Sequence, residues 1–190
     1  MKIYKLNEFL NIAKTELVLY HGTKSKFDRF DAKYINTGFG MQEYGYGFYL
    51  SDEYKTAEQY SRGGIVMEVS VPDGPWLTYD NISMNEKMEI ADRFFKYYTE
   101  ENEFGKEAYE TDETRHMFWE HECRYILDCD DGGRVYGTIA SILGDDKETS
   151  EFLRHLGYIG IKYNERVGNS GKEFHNYLIF NGNDIKILKK

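Results

Sequence analysis

The chain has 190 residues, a length that fits a single domain with a sizeable hydrophobic core. Hydrophobic residues make up 41% and charged residues 30% of it, which is typical of a soluble globular protein. Its net charge of −9 argues against a protein that coats nucleic acid non-specifically, because phosphate binding requires a basic face.

The first part of the chain predicts a helix, a strand and a long loop. The helix is predicted over residues 5–16, where apolar side chains recur at helical spacing at Leu6, Phe9, Leu10 and Ala13. Residues 17–20 are apolar and predict a strand that ends in the turn His21-Gly-Thr23. Residues 24–45 are polar, and such a long irregular segment in a compact domain is typical of a loop that covers a binding site.

Residues 45–60 predict a strand followed at once by a helix. Residues 46–50 are aromatic and apolar, with flanking glycines, and predict a short buried strand. Ser51 and Asp52 have the side chains of a helix N-cap, and residues 54–60 favour a helix.

This strand and helix carry two tyrosines that could face one cleft. Tyr49 stands at the end of the strand and Tyr60 on the helix. A pair of aromatic rings can hold a flat heterocycle by stacking. The alternative is that both are ordinary core residues, since the chain contains 17 Tyr and 12 Phe.

Helices dominate the middle of the chain, and strands return near its end. Residues 64–71 predict a strand that Pro72-Asp-Gly-Pro75 ends. Four helices are then expected, from Ser83 to Tyr98, over about 115–127, over 136–143 and over 149–156. Residues 99–114 predict an acidic linker between the first two helices, and residues 128–133 predict a loop. Thr149 or Ser150 would cap the fourth helix. The last strands are predicted at 157–163, 174–180 and 185–188, with a loop at 164–172 and a hairpin turn at 181–184.

This order, with strands at both ends and helices between them, predicts an α+β fold rather than alternating strands and helices. We expect one domain over residues 1–190, with residues 72–149 as a mostly helical insertion.

Cys123 and Cys129 suit a reducing cytosol, and their spacing matches neither a zinc site nor a disulfide framework. No metal site is predicted, because the aspartates of 128–133 lack the ligand spacing of a calcium loop.

We also expect a cytoplasmic protein. No apolar run approaches the ~18 residues that a membrane span requires. The first residues lack the apolar core of a signal peptide.

Four sequence motifs together resemble a known family. They are His21-Gly-Thr23, the loop Gly38-Phe-Gly-Met-Gln-Glu-Tyr44, the strand Gly45-Tyr-Gly-Phe-Tyr49 and the late strand Asn176-Tyr-Leu-Ile-Phe180. This set resembles the ADP-ribosyltransferase superfamily, in the His-Tyr-Glu branch that includes diphtheria-type toxins and poly(ADP-ribose) polymerases. It is most similar to the small ADP-ribosyltransferase domains of phage and mobile-element polyvalent proteins. The resemblance covers about 17–71 and 150–188, whereas 72–149 matches no pattern that we can name.

The resemblance implies both a fold and an activity. The fold would consist of two small antiparallel sheets that meet face to face and split open into an NAD cleft. The activity would be that of an NAD-dependent mono-ADP-ribosyltransferase, a glycosyltransferase with NAD as co-substrate. The expected role is that of a bacterial or phage toxin or defence effector that acts on protein, with RNA or DNA as the alternative acceptor. An antitoxin or immunity protein is a further possible partner, and no membrane is involved.

The resemblance also assigns roles to individual residues. The backbone of Gly22 would pair with the nicotinamide carboxamide, since a missing side chain permits close approach. The His21 imidazole would bind a ribose hydroxyl, although a histidine after a buried strand is more often structural. Tyr49 and Tyr60 would sandwich the nicotinamide. The full set implied for NAD binding is His21, Gly22, Thr23, Gln42, Tyr49 and Tyr60.

The sequence departs from the family pattern at Asn176, which occupies the slot of the usual catalytic glutamate. Asparagine can hydrogen-bond a ribose hydroxyl, but it cannot act as a base. In one case the acceptor needs no such base. In a second case another carboxylate enters the site, with Glu173 nearest and Glu120 or Glu122 as alternatives. In the third case the domain binds NAD without catalysis. Polymer elongation is disfavoured, because it depends on the glutamate.

The remaining histidines are predicted to have surface or structural roles: His116, His121, His155 and His175. His175 precedes Asn176 on a predicted strand. Because successive strand residues point to opposite faces, we expect His175 on the face opposite to Asn176.

Overall fold

The fold is built on one seven-stranded sheet. A computed structural model describes residues 15–35, 37, 43–165 and 173–190. The strands are β1 (Glu16–Thr23), β2 (Phe48–Ser51), β3 (Ile65–Pro72), β4 (Trp76–Thr78), β5 (Gly160–Glu165), β6 (Phe174–Ile179) and β7 (Lys186–Lys189). Their order across the sheet is β4-β5-β6-β2-β1-β3-β7, and β4 with β5 is a parallel pair in an otherwise antiparallel sheet.

The sheet narrows where β1 meets β2. β1 pairs with β3 along its whole length, from Glu16↔Pro72 to Thr23↔Ile65. Within the described residues, β1 pairs with β2 only at Tyr20↔Ser51. We call β1, β3 and β7 the β1 half, and β2, β4, β5 and β6 the β2 half. The strands thus form one continuous sheet rather than the two facing sheets that the resemblance implied.

Helices cover one face of this sheet. They are α1 (Tyr54–Ser61), α2 (Met84–Glu100), α3 (Glu103–Ala108), α4 (Asp112–Phe118), a π-helix (Trp119–Cys123), α5 (Arg124–Leu127), α6 (Gly132–Leu143) and α7 (Asp146–His155). The face packs a core with the helices that includes Phe94, Phe118, Ile139, Leu153 and Leu178. We call it the helix face.

The opposite face, which we call the loop face, has its own core. Every second residue of the strands points into this core, and Phe27 and Phe30 of the loop after β1 cover it. Its buried strand residues include Leu19, Phe48, Leu50, Met67, Val69 and Ile179. The sheet is therefore covered on both faces, and its narrow junction lies between two packed layers.

Several predicted boundaries are wrong for local reasons. Residues 99–114 contain α3 and the start of α4 rather than a linker, because Asn102 and Thr111 cap two short helices. α7 begins at Asp146, since the Asp145 carboxylate accepts hydrogen bonds from the amides of Lys147 and Glu148. Thr149 and Ser150 are thus inside that helix and do not cap it.

The predicted hairpin at the end of the chain is also wrong. β7 pairs with β3 instead of β6, and a 3-10 turn, Gly182–Asp184, redirects the chain. The pairing lets Ile185 and Ile187 join the loop-face core. β4 was not predicted, because only three residues form it. The predicted helix 5–16 and most of the predicted loop 164–172 lie outside the described residues.

Candidate functional site

His21 lies on β1 beside the junction with β2. Its Nδ1 is 3.0 Å from the backbone oxygen of Tyr49. Because a carbonyl only accepts, Nδ1 carries the proton and Nε2 is left as an acceptor. Burial lowers the pKa of His21, which favours the neutral ring. Phe27 and Phe30 pack edge-on against the imidazole, at centroid distances of 5.9 Å and 5.0 Å. The ring is thus a neutral acceptor held where the two strands separate.

Gly22 permits a close approach between β1 and α1. A Cβ atom at Gly22 would stand 1.8 Å from the carbonyl oxygen of Ala57. α1 also carries Tyr60, whose side chain is 60% exposed. Next along β1, the Thr23 hydroxyl accepts a hydrogen bond from the amide of Ser25 at 3.3 Å. The glycine of the predicted motif is therefore required for packing, and its contact with nicotinamide stays a prediction.

Tyr49 is fixed on the helix face. Its hydroxyl donates to the carbonyl of Gly45 at 3.0 Å and accepts from the amide of Tyr44 at 3.2 Å. Burial raises the pKa of the phenol, so that it is uncharged at neutral pH. Tyr44 in turn stacks on Tyr163 at 3.9 Å, and Tyr79 meets Tyr44 edge-on at 5.7 Å. Tyr49 therefore stands next to an aromatic wall formed by these three tyrosines.

The helical middle of the chain holds this part of the site in place. The Tyr136 hydroxyl accepts from the amide of Tyr46 at 3.0 Å, and the Ser150 hydroxyl donates to the carbonyl of Tyr46 at 2.8 Å. Gly45 has a φ of 120°, and a Cβ there would meet the Tyr136 ring at 2.4 Å. Sequence reasoning missed Tyr136 and Ser150. The glycine at position 45 was the one local signal of a close approach.

Asn176 lies in a row of paired residues on the helix face. It pairs with Ser51 on one side and Tyr163 on the other, and it is only 3% exposed. Because Ser51 also pairs with Tyr20, strand alternation places the His21 side chain on the loop face. The structure therefore does not bring the side chains of His21 and Asn176 to the same face of the sheet.

The alternative carboxylates lie elsewhere. Glu173 is exposed and precedes β6. Glu120 and Glu122 belong to the π-helix, where Glu120 pairs with Arg124 at 3.9 Å. Glu122 lines a cavity of about 640 Å³ between α5 and α6, which contains none of the other candidate site residues. Gln42 lies outside the described residues.

Asp52 and His175 form a pair that the sequence analysis did not anticipate. The Asp52 carboxylate accepts from the His175 amide at 2.9 Å and lies 3.1 Å from His175 Nδ1. The Asp52 amide donates to the His175 carbonyl at 3.0 Å. Asp52 was predicted as a helix cap, whereas Glu53 is the N-cap residue of α1. His175 is partly buried, and His116, His121 and His155 are exposed.

The described residues contain neither a cluster of metal ligands nor a helix that could span a membrane. No group of three or more His, Cys, Asp or Glu side chains in that part of the chain could hold a metal ion. None of the helices described there has the length and apolar character needed to cross a bilayer. Cys123 and Cys129 are free and buried.

Comparisons with known proteins place the chain in a family. No curated protein matches it. A solved structure described as "Crystal structure of an anti-CRISPR protein" is 13% identical, over 94% of this chain and 99% of that one, with a TM-score of 0.40. A likeness at that level carries no functional conclusion. The family described as ADP-ribosyltransferase in polyvalent proteins matches residues 15–189, including the middle segment that resembled no pattern. The chain belongs to this family of ADP-ribosyltransferases.

Proposed function

We propose that the protein is an NAD-dependent mono-ADP-ribosyltransferase that transfers ADP-ribose to a macromolecule, a protein in the first place. The observation that supports this most is the neutral His21 ring at the junction of β1 and β2, next to Gly22. A neutral acceptor beside a backbone without a side chain suits the ribose hydroxyl and carboxamide groups of the nicotinamide riboside unit, and an uncharged imidazole does not repel its cationic pyridinium ring.

The residues supply positioning rather than a covalent step. Transfer breaks the bond between nicotinamide and ribose, and an enzyme aids it by orienting NAD and by stabilising an oxocarbenium-like ribose. His21 Nε2 accepts a hydrogen bond from a ribose hydroxyl. Gly22 offers its backbone to the carboxamide, and Tyr49 and Tyr60 flank the ring. Thr23 lies next to this group at the end of β1.

Asn176 shapes the expected product. Its amide is buried on the helix face, away from the His21 side chain, and it carries no charge and accepts no proton. A single transfer is therefore favoured over polymer elongation. The same observation supports a second candidate, a module that binds NAD without turning it over. Release of nicotinamide distinguishes the two, since only the enzyme produces it.

The first experiment is an assay with labelled NAD in a cell lysate. We expect release of nicotinamide and a label that protease removes from the macromolecular fraction. A label that nuclease removes instead would assign a nucleic-acid acceptor. Tight NAD binding without nicotinamide release would support the silent module. A toxin or defence role, with an antitoxin or immunity partner, stays a prediction from the resemblance.

The matched variant is His21→Ala. We expect both nicotinamide release and label transfer to fall by about 10²–10³-fold, as for loss of one preorganised hydrogen-bonding group. Loss of its packing should cost about 1–2 kcal/mol of unfolding free energy. His116→Ala, at an exposed histidine on α4, is the control and should behave as wild type. Near wild-type turnover of His21→Ala, or a variant that does not fold, would contradict the proposed role.

A further inference from the structure

A small polar cavity lies at one end of the sheet, where β5 ends and β6 begins. Its volume is about 70 Å³, and it is lined by Thr78, Tyr79, Asp80, Lys162, Asn164 and His175. Asn164 pairs with His175 in the ladder, and the next pair is Tyr163 with Asn176. Because successive strand residues point to opposite faces, the His175 side chain lies on the loop face, as that of His21 does, whereas Asn176 lies on the helix face.

The cavity also borders the aromatic wall beside Tyr49. Tyr79 lines the cavity, and its ring meets Tyr44 at 5.7 Å and Tyr163 at 6.1 Å. Tyr44 donates its backbone amide to the Tyr49 hydroxyl. A group seated in the cavity is therefore next to the wall that flanks the candidate NAD site.

His175 has the geometry of a base within this cavity. The Asp52 carboxylate lies 3.1 Å from Nδ1, and because an ionised carboxylate only accepts, Nδ1 carries the proton. Nε2 is then the basic nitrogen of the ring. Asp52 also accepts from the His175 amide, so that two contacts fix the orientation of one residue against the other. A carboxylate in this position stabilises the imidazolium that forms when Nε2 takes a proton.

We propose that the cavity receives a hydroxyl group of the acceptor and that His175 removes its proton, with Asp52 as the positioning residue. This inference rests on the proposed function. The acceptor oxygen forms a bond to the anomeric carbon of the ribose. The bond from that carbon to the nicotinamide nitrogen breaks, and its electron pair leaves with nicotinamide. The hydroxyl proton passes to Nε2 of His175 and then to water.

The size and lining of the cavity favour an aliphatic hydroxyl, that of serine or threonine. A cavity of about 70 Å³ has room for the tip of a small side chain. A hydroxyl is protonated at neutral pH and gains from a base, whereas a carboxylate acceptor would need none. Asn176 cannot take that proton and lies on the helix face, whereas His175 lines the cavity.

The test separates two reactions of the full chain. NAD hydrolysis is measured as nicotinamide release without lysate, and transfer is measured as label on lysate proteins. We expect His175→Gln to lower transfer by about 10²–10⁴-fold, the usual share of a general base, and to lower NAD hydrolysis much less. Asp52→Asn should lower transfer less than His175→Gln does. His116→Gln is the control, and thermal unfolding checks that each variant folds.

Chemical rescue makes the test independent of stability. Added imidazole should restore part of the transfer by His175→Ala, because it replaces the missing base but no structural contact. Failed rescue in a folded variant, wild-type transfer by His175→Gln, or equal loss of both reactions would overturn the inference and leave the proposed function standing. So would a wild-type protein that hydrolyses NAD without labelling protein, or label attached to a carboxylate or a nucleobase. A wild-type protein that consumes no NAD refutes the proposed function itself, and the inference with it.

Discussion

The two strands that carry His21 and Tyr49 are held in different ways. On the β1 half, α1 rests directly on Gly22, and Phe27 and Phe30 close around the imidazole. On the β2 half, hydroxyl groups of Tyr136 and Ser150 bind both backbone groups of Tyr46. Steric fit fixes one side of the candidate site, and a polar network fixes the other.

This difference separates two kinds of sensitivity. A close fit between two backbones leaves no room for an added atom, so a single substitution there should cause a large loss of stability. A hydrogen-bond network loses energy in steps, as each buried partner is left unpaired. Strand pairing joins the halves only at Tyr20↔Ser51 in the described chain, but both halves contribute residues to the loop-face core, so damage on either side should lower the stability of the whole domain.

The largest effect is expected from Gly22→Ala on the β1 half. The new Cβ would overlap the Ala57 carbonyl oxygen, which belongs to the backbone and cannot rotate away. We expect a loss of about 3 kcal/mol in unfolding free energy, the upper part of the usual range for overpacking, together with loss of NAD turnover. Denaturant titration measures the first and nicotinamide release the second.

Gly137→Ala is the matched control on α6. Nothing lies within 4 Å of a Cβ at Gly137. Replacing a glycine inside a helix should therefore stabilise the protein, by about 0.5–1 kcal/mol. If both alanines cost the same, contact with α1 is not what requires Gly22.

The β2 half is tested by Tyr136→Phe. The change removes an oxygen that is within 3.0 Å of the Tyr46 amide, the Asp146 carbonyl and the Ser150 hydroxyl. We expect a loss of about 2 kcal/mol, because buried partners lose their hydrogen bonds. Nicotinamide release should fall less than in Gly22→Ala, since Tyr49 keeps its contact with Gly45.

Tyr125→Phe is the control for this hydroxyl deletion. Tyr125 is 61% exposed, so its hydroxyl faces water and its loss should change unfolding free energy by less than about 0.5 kcal/mol. Equal effects of the two substitutions would show that the network around Tyr46 contributes little.

The smallest effect concerns the pH dependence of stability at His21, which links the halves. Its pKa is lowered by burial from the model-peptide value of 6.5. The unfolded chain thus binds the proton more readily, and stability should fall as pH drops from 6.5 through the lower folded value. His21→Gln should remove this contribution, worth at most about 1.4 kcal/mol per pH unit. Denaturant titrations of both proteins at several pH values below 6.5 measure it, and parallel curves would contradict it.

Local signals predicted the elements that are locally specified. The strands around Leu19, Tyr49 and Val69 carry their pattern in a few adjacent residues, and the structure confirms them. β4 carries no such local pattern, because its three residues become a strand only by pairing with β5, which is distant in the sequence. A distant partner also explains why the hairpin prediction was wrong. β7 pairs with β3, where Ile185 and Ile187 become buried, and the turn before β7 does not determine this pairing.

The candidate site likewise contains residues that local motifs predicted and residues whose role depends on contacts with distant parts of the chain. His21 and Tyr49 were predicted from motifs that are contiguous in the sequence, and the structure places the His21 ring against the backbone of Tyr49. Asp52 and His175 were missed as a pair, because 123 positions separate them and each fits a plain local role. Tyr136 stands 90 positions from Tyr46, and nothing in its own helix marks it as an anchor.

The pairing of β7 with β3 also has a consequence for the synthesis of the protein. Val69 of β3 pairs with Ile187 of β7, which is synthesised much later. One edge of β3 therefore stays unpaired while the segment between the two strands is translated. At roughly 5–20 residues per second, this delay lasts on the order of ten seconds. An open strand edge is a template for pairing with other chains. Ribosome stalling or truncation ahead of residue 186 should therefore send the nascent protein towards aggregation or chaperone capture.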